Sequence, residues 1–153
     1  MIDVKWGKRA WKTPNKIDIS KDINAFAGMI KKDILEGITK RRSDIDGKTL
    51  KISPQAIEAK RKKGSPKPDV ALYDTGLMSK LEPISGKNKA TPQKQIATIK
   101  VSEKKTYKKS NLTAMDVGKK WVARGVKWFG VRKEMETQIE RLMIKRIMQA
   151  FKR

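Results

Sequence analysis

Asp44 and Asp46 stand one residue apart in "SDIDGK", and a carboxylate pair at that spacing can help to hold a divalent cation when further oxygen ligands close in. Nothing else in the sequence supplies those ligands. Closely spaced Asp residues before a Gly have a commoner use, in which the side chain accepts hydrogen bonds from the backbone of its own turn. Turn capping is therefore the expected role here. The remaining catalytic inventory is short. The chain has no Cys and no His, which removes thiol nucleophiles, disulfides, imidazole bases and the usual zinc ligands. It has no Walker sequence and no GxGxxG, and Gly125 and Gly130 are isolated. A nuclease would need a carboxylate cluster that is not seen. The expectation is a protein that is not an enzyme, with no catalytic, cofactor or metal site.

The basic residues carry the stronger signal. Lys and Arg number 38 against 16 Asp and Glu, a net charge of +22 on 153 residues. Such a field repels its own copies and draws polyanions. Two segments hold much of it: 40–67 has ten Lys and Arg against three acids, and 87–109 has eight against one. An ordinary surface mixes the two signs, so phosphate or acidic-protein contact is the expected use of Lys60, Arg61, Lys62, Lys63, Lys87, Lys89, Lys104, Lys105, Lys108 and Lys109. No recognition helix, RNP-like aromatic strand or zinc module accompanies them, so any binding is expected to ignore base sequence.

These side chains need a frame, and the composition allows only a lean one. Apolar residues make up 37% and charged residues 35%. A single domain is expected, with loops or arms that find part of their burial in a partner. No apolar run approaches the roughly 18 residues of a membrane span. The start lacks the apolar block of a signal peptide, so a soluble, non-redox protein made in the cytosol is expected, without membrane contact.

Residues 1–20 show no helical period and read as an extended N-terminal arm, with Trp6 and Trp11 among basic residues and "KIDIS" alternating like a short strand. Its tryptophans either fold back onto the core or dock on a neighbouring subunit. Ser20 then opens a helix as N-cap. Ile23, Phe26, Ala27, Ile30, Ile34 and Ile38 form one apolar face, and Lys40, Arg41 and Arg42 close it. In "ISPQAIEAKRKKG", Ser53 is an N-cap, Pro54 the first helical residue and Gly64 the stop. In "LYDTGLMSKL", Asp74 or Thr75 caps a brief helix anchored by Leu77, Met78 and Leu81. Residues 95–101 are the clearest strand. "KTYKKS" and the weaker "EPIS" are its possible partners. Thr113 caps one short turn, and 126–131 reads as a final strand. From Arg132 a helix runs to the end, with Met135, Ile139, Leu142, Met143, Ile147 and Phe151 on one face. Ile144 and Met148 broaden that face beyond what a small sheet needs and are the expected oligomer contacts. The order gives an α+β domain over 21–153, a small antiparallel sheet packed by a long N-terminal and a long C-terminal helix.

The run from Asp44 to Leu81 resembles the tail-completion, or virion morphogenesis, proteins of tailed bacteriophages. The likeness rests on Gly47, Leu50, Ser53, Pro54, Lys60, Leu72, Thr75 and Gly76, with Asp74 in the same turn. "GVKWFGV" is similar to the Arg-Pro-Phe stretch that leads into the family's last helix, although Lys127 and Trp128 replace its Arg and Pro. The resemblance implies a structural virion protein at the head–tail junction, assembled in the host cytoplasm. It implies a homo-oligomer, a hexameric neck ring, meeting the tail terminator and the head-closure or connector proteins, with genome DNA in the lumen. The alternative is a small nucleic-acid-binding protein without sequence preference.

Overall fold

Ile23, Phe26, Ala27, Ile30, Ile34 and Ile38 return to one side of a helix at steps of three and four, and that side is the centre of the molecule. The computed structural model describes residues 2–5, 17–40, 43–73, 76–102 and 111–151, with the backbone alone for 2–5 and Leu77. Helix α1 spans Ser20–Thr39, and all six of those side chains are buried. Each large one contributes roughly 1.5–3 kcal/mol by leaving water. Ser20 does not cap this helix through its side chain. The residue before the helix is Ile19, and Asp18 does the work instead: its carboxylate accepts the Ser20 N–H at 2.9 Å. Hydrogen bonds from Ser20, side chain first and then backbone, hold the Asp18 pKa below its ordinary value. At the far end the Lys67 ammonium donates to the Thr39 carbonyl at 2.9 Å; Arg41 and Arg42 lie outside the described residues.

Strands β1 (Ile2–Lys5) and β2 (Ile96–Ile99) pair antiparallel, with Ile2 opposite Ile99 and Lys5 opposite Ile96. Residues 2–5 are thus a sheet strand, which corrects the expectation of an arm over the whole of 1–20. Trp6 and Trp11 lie outside the described residues. In β2, Ala97 and Ile99 are buried while Ile96 and Thr98 are half-buried, the alternation of a strand with one face inward. That face lies on α1. The sheet gains no third strand from 82–85: after a bridge between Leu81 and Val101, the chain turns away through a 3-10 turn at Gly86–Asn88. The buried Asn88 side chain holds this turn by donating to the Glu82 carboxylate at 3.1 Å. "KTYKKS" lies outside the described residues.

Helix α2 (Pro54–Lys62) starts as expected, with the Ser53 hydroxyl accepting the Ala56 N–H at 3.2 Å, and it is followed by Gly64 at φ +76°. Leu77–Ser79 is a 3-10 turn. Helix α3 (Ala114–Ala123) is longer than the single turn expected. Thr113 and Asp116 form a reciprocal capping box, and the backbone and side-chain hydrogen bonds from Thr113 hold the Asp116 pKa below its ordinary value. Residues 126–131 form no strand, because their backbone turns to a different partner, described below.

Helix α4 (Lys133–Phe151) packs on α1 and, among the described residues, makes no contact with the sheet. The expected packing of both long helices on one sheet is thus seen only for α1 among the described residues. The fold is α-rich, with helices holding about half of the described residues and one two-stranded sheet against α1. No helix among those residues is long and apolar enough to cross a membrane.

Candidate functional site

The turn at Asp44 and the segment around Trp128 are more than eighty residues apart in sequence and meet in space. The buried Asp44 carboxylate accepts the Lys48 N–H at 2.8 Å and the Asp46 N–H at 3.1 Å. Its second oxygen receives the Lys127 N–H at 3.4 Å, and the Ile45 N–H donates to the Lys127 carbonyl at 3.0 Å. Gly47, at φ +81°, supplies the left-handed residue that the turn requires. The acidic pair is thus a clamp. Asp46 completes it on the surface, 2.6 Å from the Lys127 ammonium, and the hydrogen bond to Asp46 raises the Lys127 pKa. Among the described residues no cluster of three acidic side chains could hold a metal ion.

Trp128 closes this junction from inside. It is buried, and its indole N–H donates to the Gly118 carbonyl at 2.9 Å. A Cβ at Gly118 would lie 2.1 Å from the Trp128 ring, which explains a glycine in the middle of α3. Phe129 sits beside Trp128 with ring centroids 5.2 Å apart. Four residues after Trp128, Arg132 reaches back to α1 and grips both oxygens of the buried Asp33. The Asp33 carboxylate keeps the Arg132 pKa above its ordinary value. This pairing had no signal in the sequence, since Asp33 reads as one more polar residue on a helix.

The turn residues singled out by sequence each hold a structural position where they are described. Ser53 and Pro54 start α2, Leu72 is buried, and Gly76 takes φ +76° with the Tyr73 hydroxyl only 2.8 Å from where a Cβ would stand. Asp74 and Thr75 lie outside the described residues.

The basic residues divide. Lys60 also serves the fold: its ammonium donates to the carbonyls of Val70, Ala71 and Tyr73 at 2.8, 3.2 and 2.7 Å. It anchors α2, a helix with no buried residue. Lys31 makes a similar tie to the Glu82 carbonyl at 2.9 Å. Part of the positive charge therefore serves the fold. Arg61, Lys62, Lys63, Lys87 and Lys89 are exposed. Lys104, Lys105, Lys108 and Lys109 lie outside the described residues.

Helix α4 is the other candidate surface. Met143 is its only buried residue among those described. Ile144, Met148 and Phe151 recur at steps of four and three, on a side of the helix turned away from Met143. They are 52, 57 and 62% exposed. Leu142 and Phe151, expected to face inward, are also exposed. Among the described elements α4 packs on α1, which covers a narrower strip than a sheet would. Comparison of the chain with protein-family models, with curated proteins and with solved structures found no match.

Proposed function

We propose that this protein is a structural subunit of the tailed-phage head–tail junction, a tail-completion protein that assembles into a neck ring joining tail to connector around the DNA channel. The observation that carries an assembly role is α4. A helix of 19 residues whose last two turns leave Ile144, Met148 and Phe151 in water offers a contact to a second protein surface. The resemblance over Asp44 to Leu81 supplies the particular assembly, and the clamp between the Asp44 turn and Lys127 supports it by bringing both parts of that resemblance together. Exposed Arg61, Lys62, Lys63, Lys87 and Lys89 suit a channel wall or an acidic neighbouring ring. Those same cations favour a second reading, a free nucleic-acid-binding protein without sequence preference.

Light scattering on the purified chain, alone and with duplex DNA, separates the two. The junction reading expects a closed oligomer that Ile144→Glu with Met148→Glu returns to monomer. It also expects weak DNA binding that falls with salt at a log–log slope of about −0.9 per neutralised phosphate. A monomer at all concentrations, with DNA binding unaffected by the double substitution, would replace the first reading by the second.

A further inference from the structure

Between α2 and α3 lies an open groove of about 430 Å³ for which the reading above has no use. Leu72 and Met78, both buried, form its floor. Ala56 and Ala59 make the α2 wall, and Val117 and Trp121 the α3 wall. The small side chains of α2 are what leave the space open. The rim has one sign. Lys60 and Lys63 stand on the α2 side, and Lys60 is held there by its three carbonyls. On the α3 side the Arg124 guanidinium lies 5.7 Å from the Trp121 ring centre. No acidic residue lines the groove among the described residues.

We infer that this groove docks an acidic amphipathic helix of a partner protein. An apolar floor between two helices takes side chains at helical spacing, and a rim of fixed cations selects acidic flanks and rejects basic ones. A second copy of this chain fits less well: each carries +22, and the exposed α4 stripe has Arg141 and Lys145 along its side. Nucleic acid would satisfy the rim and leave the floor in water. The assignment does not depend on the junction reading, because any acidic partner would meet the same walls.

The test uses the full chain and a fluorescent synthetic peptide of about 18 residues, five helical turns, with Leu on one helical stripe and Glu and Ala elsewhere. One comparator has the same composition with the stripe scrambled, and another has Lys in place of Glu. Anisotropy titration is expected to show the striped acidic peptide binding at least tenfold more tightly than either, a difference of about 1.4 kcal/mol. Ala59→Trp, which fills the groove from an exposed position, should weaken binding at least tenfold. Lys63→Glu should weaken it several-fold, and it provides a second variant should Ala59→Trp unfold, as circular dichroism would show. Equal binding of striped and scrambled acidic peptides would reduce the effect to the general field and overturn the proposal. So would loss of self-association, or of duplex-DNA binding, in Ala59→Trp with peptide binding unchanged.

Discussion

Around Trp128 every polar group taken into the interior meets a partner, whereas along α4 a row of apolar side chains is left facing out. In the first region Asp44, Asp33 and the Trp128 indole are all bonded, and no buried side-chain nitrogen or oxygen among the described residues lacks a hydrogen bond. Burying such groups unpaired would cost several kcal/mol in total, so their pairing fixes one arrangement of α1, α3 and the chain between them. The second region has no such constraint. A surface tie there, Arg146 to Asp22 at 3.3 Å, is a type of exposed pair worth about 0–1 kcal/mol. The difference separates what holds the subunit together from what it offers to others.

The largest expected effect lies at the Trp128 contact. Trp128→Ala removes a buried indole that spans α3 and the Asp44 turn, and it should cost about 3–5 kcal/mol. Urea unfolding measures this directly; a loss below about 1 kcal/mol, within the range of unremarkable substitutions, would show that the junction is not the stable half. Gly118→Ala attacks the same contact from the helix side, where the added methyl would stand 2.1 Å from the ring.

Next is the pair between α1 and the start of α4. Arg132→Met leaves Asp33 with 6% exposure and its guanidinium partner gone. About 3 kcal/mol is expected, the lower end of the range for stripping one side of a buried ion pair. Asp33→Asn should cost less, since the Arg132 side chain, 37% exposed, can turn to water. Equal losses in the two variants would mean that burial of Asp33 does not set the energy.

The comparison also marks what the sequence could convey. The apolar face of α1, the Ser53–Pro54 start of α2 and the glycine turns were legible, because period and cap chemistry are local. Thr113 was legible as a cap, but the length of α3 was hidden by Gly118, a residue that discourages helix until Trp128 is seen above it. The clamp at Asp44 was read correctly as a turn and missed as a joint, since its partner Lys127 is remote. Lys60 was indistinguishable from its neighbours in a basic run; only the three carbonyls around it set it apart. The strand expected at 126–131 followed from β-branched and aromatic residues whose true use is burial in an irregular segment. Ile144 and Met148 were legible as surplus, since a helical face wider than its support must leave an edge uncovered.

A smaller effect is expected at Asp44. Asp44→Ala frees the N–H groups of Asp46 and Lys48 and loosens Lys127, while Gly47 and the Ile45 to Lys127 backbone bond remain. The loss should be about 0.5–1.5 kcal/mol, the net worth of hydrogen bonds whose exposed donors can turn to water. Asp44→Asn, which keeps one acceptor oxygen, should recover part of it in the same unfolding measurement. No recovery would show that the charge, rather than the hydrogen bonds, matters.

The smallest expected effect completes the contrast. Ile144→Glu with Met148→Glu alters two side chains that are more than half exposed on a helix turned to water at that face. Both substitutions place straight-chain, helix-favouring Glu on the helix, and the new carboxylates sit four residues apart with Lys145 between them in sequence. Any repulsion between them is a few tenths of a kcal/mol. Monomer stability, measured at a concentration low enough to prevent association, should therefore stay within about 0.5 kcal/mol of the parent chain. Self-association should nevertheless be lost, because a carboxylate driven into an apolar contact carries a desolvation cost that the contact cannot offset. The pairing of the two results is what tests the division. A large loss of monomer stability would place Ile144 and Met148 in the core and erase the distinction between the two regions. Unchanged stability with unchanged assembly would leave α4 apolar and exposed, without a role in self-association.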